Sequence, residues 1–124
     1  MVVPDGILNS PGRNFIRSWL LKRSRIVASV GLPQTTFAAS KGINHATLLI
    51  VRKFNQNEIN QAEANVFDDD YRVFMCTPKT SGIDSRSHPT YLRQPDGQEI
   101  IDSNGNKVLD DEIRGVAEAF REWS

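Results

Sequence analysis

The sequence predicts one α/β domain with a C-terminal appendage, and three observations predict it. Phe15, Ile16, Trp19 and Leu20 recur at three- and four-residue spacing, as on one side of a helix. Residues 25–32 and 46–51 are short apolar runs of strand length, both closed by residues that return the chain to solvent or break a ladder. Ile113, Val116, Ala117 and Phe120 then fall at i, i+3, i+4 and i+7, the packing face of a final helix. With 124 residues, the chain can build one modest core but not two independent ones.

The elements follow in order. Val2 and Val3 run into Pro4-Asp5-Gly6, a strand end turning into a loop. Asn9 or Ser10 can cap a helix that opens on Pro11, where a missing amide costs nothing, and that ends near Arg23. Ile26, Ala28 and Val30 alternate with Val27, Ser29 and Gly31 in a strand stopped by Leu32-Pro33. Ala46-Thr47-Leu48-Leu49-Ile50-Val51 reads as a strand buried on both faces. The 13-residue join from Pro33 to His45 holds no convincing crossover helix, so the two strands are expected as antiparallel neighbours.

Residues 55–65 are rich in Asn and Gln and read as a surface connection, with room for a short helix over 58–64. Residues 71–77 form a third strand candidate of edge character, ended by Pro78. A long polar loop over 79–95 follows. Pro95-Asp96-Gly97 and Asn104-Gly105 are turn formers that bracket a small hairpin, with 98–102 and 107–109 as its arms. Asp110 or Asp111 can cap the last helix, and Trp123 extends its apolar edge. No internal repeat stands out.

Composition excludes several classes. Fifteen basic and fifteen acidic residues cancel, which speaks against a polybasic sleeve while leaving room for a local basic patch. A single cysteine, Cys76, excludes an intrachain disulfide and a cysteine-built zinc centre, and a buried inert thiol is expected there. The longest strongly apolar stretch, 46–51, is far too short to span a bilayer, and no secretory leader is expected. A cytoplasmic location is the resulting expectation.

Candidate functional residues are few. His45 and His88 lack metal-ligand spacing and read as a structural hydrogen-bonding residue and a loop residue. Asp68-Asp69-Asp70 reads as a solvated loop, because three consecutive carboxylates do not converge on a cation. Glycines are scattered without the strand–loop–helix spacing of a phosphate cradle. Lys22, Arg23 and Arg25 cluster at the end of the first helix and are candidates for phosphate or partner contacts, although cations there also suit the helix dipole. Arg86 and Arg93, with Tyr91 between them, suit a nucleic-acid backbone or a protein partner. Phe37 is an aromatic in a polar, glycine-containing loop; it can anchor that loop or stack on a base.

Taken together, several ordered segments resemble the later part of an N6-adenine DNA methyltransferase, and specifically the modification subunit of type I restriction–modification systems. They are Val2-Val3-Pro4-Asp5-Gly6-Ile7-Leu8, residues 15–21, 25–33 with Phe37, and Thr47-Leu48-Leu49-Ile50-Val51-Arg52-Lys53. Val73-Phe74-Met75, Gly82-Ile83-Asp84 through Arg86, Pro89-Thr90-Tyr91, Asp96-Gly97 and 116–123 continue the likeness.

The resemblance implies a partial Rossmann-like methyltransferase sheet with a terminal antiparallel strand pair, plus a C-terminal hairpin and helix. Residues 1–54 would end the S-adenosylmethionine-dependent catalytic fold, and 55–124 would be its C-terminal extension. The Val-Val-Pro-Asp-Gly opening would leave the fifth strand of a seven-stranded sheet, with 25–32 as the sixth strand and 46–53 as the seventh. Phe37 would be the substrate-binding ring that stacks on a flipped adenine. The family's glycine-containing cofactor loop, ribose-binding acid and Asn-Pro-Pro-(Tyr/Phe) motif occur nowhere in the sequence. Residues 84–87, Asp-Ser-Arg-Ser, depart from the family's arginine- and glycine-rich pattern at that place. No catalytic residue is therefore expected in this chain, and S-adenosylmethionine would be held by the complete protein only. DNA, a specificity subunit and a restriction subunit would be the complete protein's partners. A partial sheet would also expose an edge through which copies of the chain can pair. The alternative is a small nucleic-acid-binding or protein-docking module without catalytic activity.

Overall fold

In the computed structural model, residues 1–38, 45–65 and 70–124 are described. They form a mixed α/β structure with one four-stranded sheet, and the chain divides into two compact units, 1–31 with 46–76 and 32–45 with 77–124.

The first unit holds the sheet. Strands β1 (Val2–Pro4), β2 (Ser24–Gly31), β3 (Ala46–Lys53) and β4 (Phe74–Cys76) lie in the order β1-β3-β2-β4. β3 is antiparallel to β2, as the join without a crossover helix predicts, and also to β1, while β4 runs parallel to β2. Paired residues share a face, so Val2, Leu48, Val30 and Cys76 line one side and Val3, Thr47 and Gly31 the other. Ala28, Val30, Ala46 and Phe74 are buried on the first face, and Val3, Thr47 and Leu49 on the second. Burial on both sides is what the continuous apolar run of β3 requires. The register slips between Ile26 and Ala28, leaving Val27 as the extra residue of a bulge.

Helix α1 (Asp5–Asn9) leaves β1 at once, and Thr47 donates its hydroxyl hydrogen to Asp5 Oδ1 at 2.8 Å, tying that turn to the sheet. A 3-10 turn over Pro11–Arg13 leads into α2 (Asn14–Leu21). Proline therefore sits at the start of the 3-10 turn rather than of the α-helix, and Ser10 makes no side-chain cap there. The Arg17 guanidinium instead donates to the carbonyls of Ile7 and Ser10, both at 2.8 Å, and closes the α1–α2 corner.

Two expectations are corrected here. Of the four apolar residues assigned to one packing side of α2, Ile16 and Leu20 are half-buried but Phe15 and Trp19 are exposed. The Asn/Gln-rich connection is a helix, α3 (Gln56–Glu63), with a complete capping box. The Asn55 side chain accepts from the Glu58 amide at 2.9 Å, and the Glu58 carboxylate accepts from the Asn55 amide at 3.1 Å. Two reciprocal bonds at the first turn compensate for a segment with little to bury.

The second unit is built differently. All seven buried apolar side chains of the described core belong to the first unit, whereas Pro33, Pro78 and Gly82 are the buried positions described in the second. Hydrogen bonds organise it. Gly82 N donates to Asp110 O, Asp110 N to Thr90 O, and Thr90 N to Gly82 O, a closed ring of three bonds at 2.8–2.9 Å. A second ring runs from Leu92 N to Val108 O, Val108 N to Ile100 O and Ile100 N to Leu92 O.

The segments in these rings are joined by three hairpins of one design. Residues 84, 94 and 102 accept from residues 87, 97 and 105 and donate to the carbonyls of 88, 98 and 106. Ser87, Gly97 and Gly105 take positive φ angles of 63°, 89° and 81°. Each is a three-residue turn whose last member is left-handed. The absence of a repeat expected from the sequence is thus corrected, as is the polar loop over 79–95, which contains the first hairpin. Asp111 caps a 3-10 turn over Glu112–Gly115, its Oδ1 accepting from Ile113 N, whereas α4 (Val116–Trp123) itself begins after Gly115 with no side-chain cap, which corrects the expected aspartate cap of the last helix.

Candidate nucleic-acid interface

The expected cluster of Lys22, Arg23 and Arg25 forms, and it is larger than the sequence suggested. β2 begins where α2 ends, so these three residues follow the helix into the first rungs of the β2–β3 ladder. Ser24 pairs with Lys53 and Arg25 with Arg52, which brings five cations to one end of the ladder. The Phe54 amide donates to Arg23 O at 2.9 Å, and Ser24 Oγ donates to Leu20 O at 2.8 Å, fixing the helix end against the strand ends.

Aromatic rings are interleaved with these cations. The Arg23 guanidinium lies over the Trp19 ring at 4.9 Å, and Arg25 lies over the Tyr71 ring at 4.7 Å. Tyr71 also receives a 3.3 Å bond from the Ile26 amide through its hydroxyl oxygen. The Glu58 carboxylate meets the cluster at Arg52, from which it accepts at 3.0 and 3.3 Å in a two-pronged pair. The Arg52 hydrogen bond holds the Glu58 carboxyl below its ordinary range, with the Asn55 amide as the next cause, and Arg25 adds to the attraction. The same pair raises Arg52 further. A phosphodiester chain would meet positive charge here and would compete with Glu58 for Arg52.

The whole-chain balance concealed this patch. No Asp or Glu occurs between Gly6 and Asn57, a stretch with eight Lys or Arg residues, while fourteen of the fifteen acidic residues lie at or beyond Glu58. Charge counted in segments finds the patch directly.

The other candidates are placed as follows. Phe37 ends a 3-10 turn over Gln34–Phe37 and is half-buried; residues 39–44 of the same join, including Gly42, lie outside the described residues. Arg86 stands exposed in the first hairpin turn. Arg93 belongs to the second hairpin and is engaged within it, donating to Gly97 O at 2.9 Å and pairing with Glu99 at 3.4 Å. Tyr91 carries Lys107 over its ring at 5.2 Å. His45 is exposed rather than a structural hydrogen-bonding residue beside the strand, and Cys76 is half-buried on the edge strand rather than fully enclosed. Asp68 and Asp69 lie outside the described residues. Among the described residues no group of three or more His, Cys, Asp or Glu is arranged to hold a metal ion, and no helix is long and apolar enough to cross a membrane.

No protein-family model matches this chain, and no curated protein matches it.

Proposed function

We propose that this chain is the trailing section of an S-adenosylmethionine-dependent DNA methyltransferase acting on adenine N6, similar to the modification subunit of type I restriction–modification systems. The observation that carries this reading is the pairing of β2 with β3. The two runs that resemble the family's last two strands are antiparallel neighbours in one sheet, and Val2–Pro4 belongs to that sheet too. The join between them carries Phe37 as its single Phe, Tyr or Trp. In the complete protein, Phe37 would stack on an adenine turned out of the duplex, and a specificity subunit would select the site.

The chain's own residues supply that ring and a cationic surface. The groups that hold the methyl donor and orient the adenine amino group would come from residues outside this sequence, so the chain alone is inactive in this reading. The coding sequence upstream of Val2 tests it: an in-frame Asn-Pro-Pro-(Tyr/Phe) motif preceded by a glycine-containing cofactor loop is expected. Upstream sequence without either would overturn the reading. So would methyl transfer to adenine-containing DNA by the purified chain alone.

A further inference from the structure

The outward face of α2 is the least explained surface of the first unit. Phe15 and Trp19 are 70% and 56% exposed, one turn apart, although large aromatic side chains ordinarily bury most of their area. At 100° per residue, Lys22 falls on the same face as Phe15, and Arg23 sits over Trp19. Ser24, bonded through its hydroxyl to Leu20 O, pairs with Lys53, so Lys53 continues the positive charge on the face where α2 ends, while Arg25 and Arg52 stand on the opposite face. Rings and cations therefore alternate along a path that crosses two elements.

We propose that this path binds a single-stranded nucleic acid, with Phe15 and Trp19 stacking on unpaired bases and Lys22, Arg23 and Lys53 following the phosphates. Unpaired strands are favoured over duplex because a ring standing out from a helix needs a free base face, which a stacked duplex does not offer. A lipid surface fits less well. It needs a continuous apolar face, whereas Leu21, the other exposed apolar residue of α2, points about a third of a turn away from Phe15. An acidic polypeptide would use the cations and leave the rings idle. The path does not depend on the methyltransferase reading, since Phe37 takes no part in it.

The test is fluorescence anisotropy of the full chain with a labelled 15-nucleotide single strand, the matching duplex, polyglutamate and vesicles containing phosphatidylserine. Binding to the single strand is expected to be the tightest of the four and to weaken with salt. The slope of log affinity against log salt should become shallower by about 0.7 for each of Lys22→Gln and Lys53→Gln. Phe15→Ala and Trp19→Ala should each weaken single-strand binding by about tenfold. Trp19→Phe should keep most of it, which separates stacking from a fold defect. Equal or tighter binding to duplex, polyglutamate or vesicles would overturn the proposal. Affinity indifferent to both ring deletions, or to salt, would overturn it as well.

Discussion

Asp84 and Asp102 hold the same place in two hairpins eighteen residues apart. Asp84 Oδ1 accepts from the amides of Arg86 and His88 at 2.8 and 3.0 Å, and Asp102 Oδ1 accepts from those of Asn104 and Asn106, both at 2.9 Å. The two amides gathered by Asp84, first His88 and then Arg86, hold its carboxyl below the ordinary aspartate range. At the equivalent position of the middle hairpin stands Gln94, where Asp96 Oδ1 takes the Gln98 amide instead, at 3.0 Å. A carboxylate that collects amides two and four residues ahead pre-forms the turn.

The first hairpin carries a serine where the other two carry glycine. Ser87 sits at φ 63°, a conformation that costs an L-residue about 1–2 kcal/mol. Ser87→Gly should therefore stabilise the chain by about 0.5–1 kcal/mol after the added freedom of the unfolded chain is subtracted. Urea denaturation should show a higher midpoint with an unchanged slope.

Gly82 has the opposite standing. It is buried at φ 81°, and a Cβ there would lie 3.3 Å from the Asp111 Cβ, next to the first hydrogen-bonded ring. Gly82→Ala should destabilise by about 1–2 kcal/mol. Gly115→Ala, with open space and an ordinary φ, should be tolerated, so the two melting curves should separate.

The capping box of α3 predicts a local response to mutation. Asn55→Ala removes the acceptor for the Glu58 amide and should cost about 1 kcal/mol of stability. Loss of amide protection in hydrogen exchange should concentrate over Gln56–Glu63, leaving the β2–β3 ladder unchanged.

The same corner predicts a pH response. Glu58 has a depressed folded-state pKa, so its contribution is complete above the unfolded carboxyl value and is lost as pH falls through the folded one. Glu99, lowered chiefly by its hydrogen bond from Lys107 with Arg93 adding to the attraction, acts with the same sign. Acidification from neutral pH should loosen the α3 start and the Glu99–Lys107 pair, both visible as amide shift changes below about pH 4. Between pH 6 and 8 neither should move.

Much of the sheet was legible because β2 alternates with at least one apolar face, β3 is a nearly continuous apolar run, and both have clear stops. α2 was legible as a helix but not in its orientation. Phe15 to Leu20 spans a wide arc, and periodicity alone does not say which part turns inward. α3 has too little apolar content to be legible by periodicity, and its signal is the cap, with Asn55 and Glu58 at the required spacing. The hairpin repeat was hidden for a different reason. Ser-Arg-Ser, Pro-Asp-Gly and Ser-Asn-Gly share a backbone path and almost no side chains. Lys22, Arg23 and Arg25 were found as neighbours in sequence, whereas Arg52 and Lys53 joined them through strand register, which a local reading does not supply.

The two closed rings of the second unit bear on how such a module can grow. Each residue in a ring spends its one amide and offers its one carbonyl inside the triangle, so at that level no backbone group is left facing outward to recruit a further segment. An open ladder accretes sideways; a triangle does not. Lengthening by duplication would therefore have to stack a new level along the axis rather than widen an existing one.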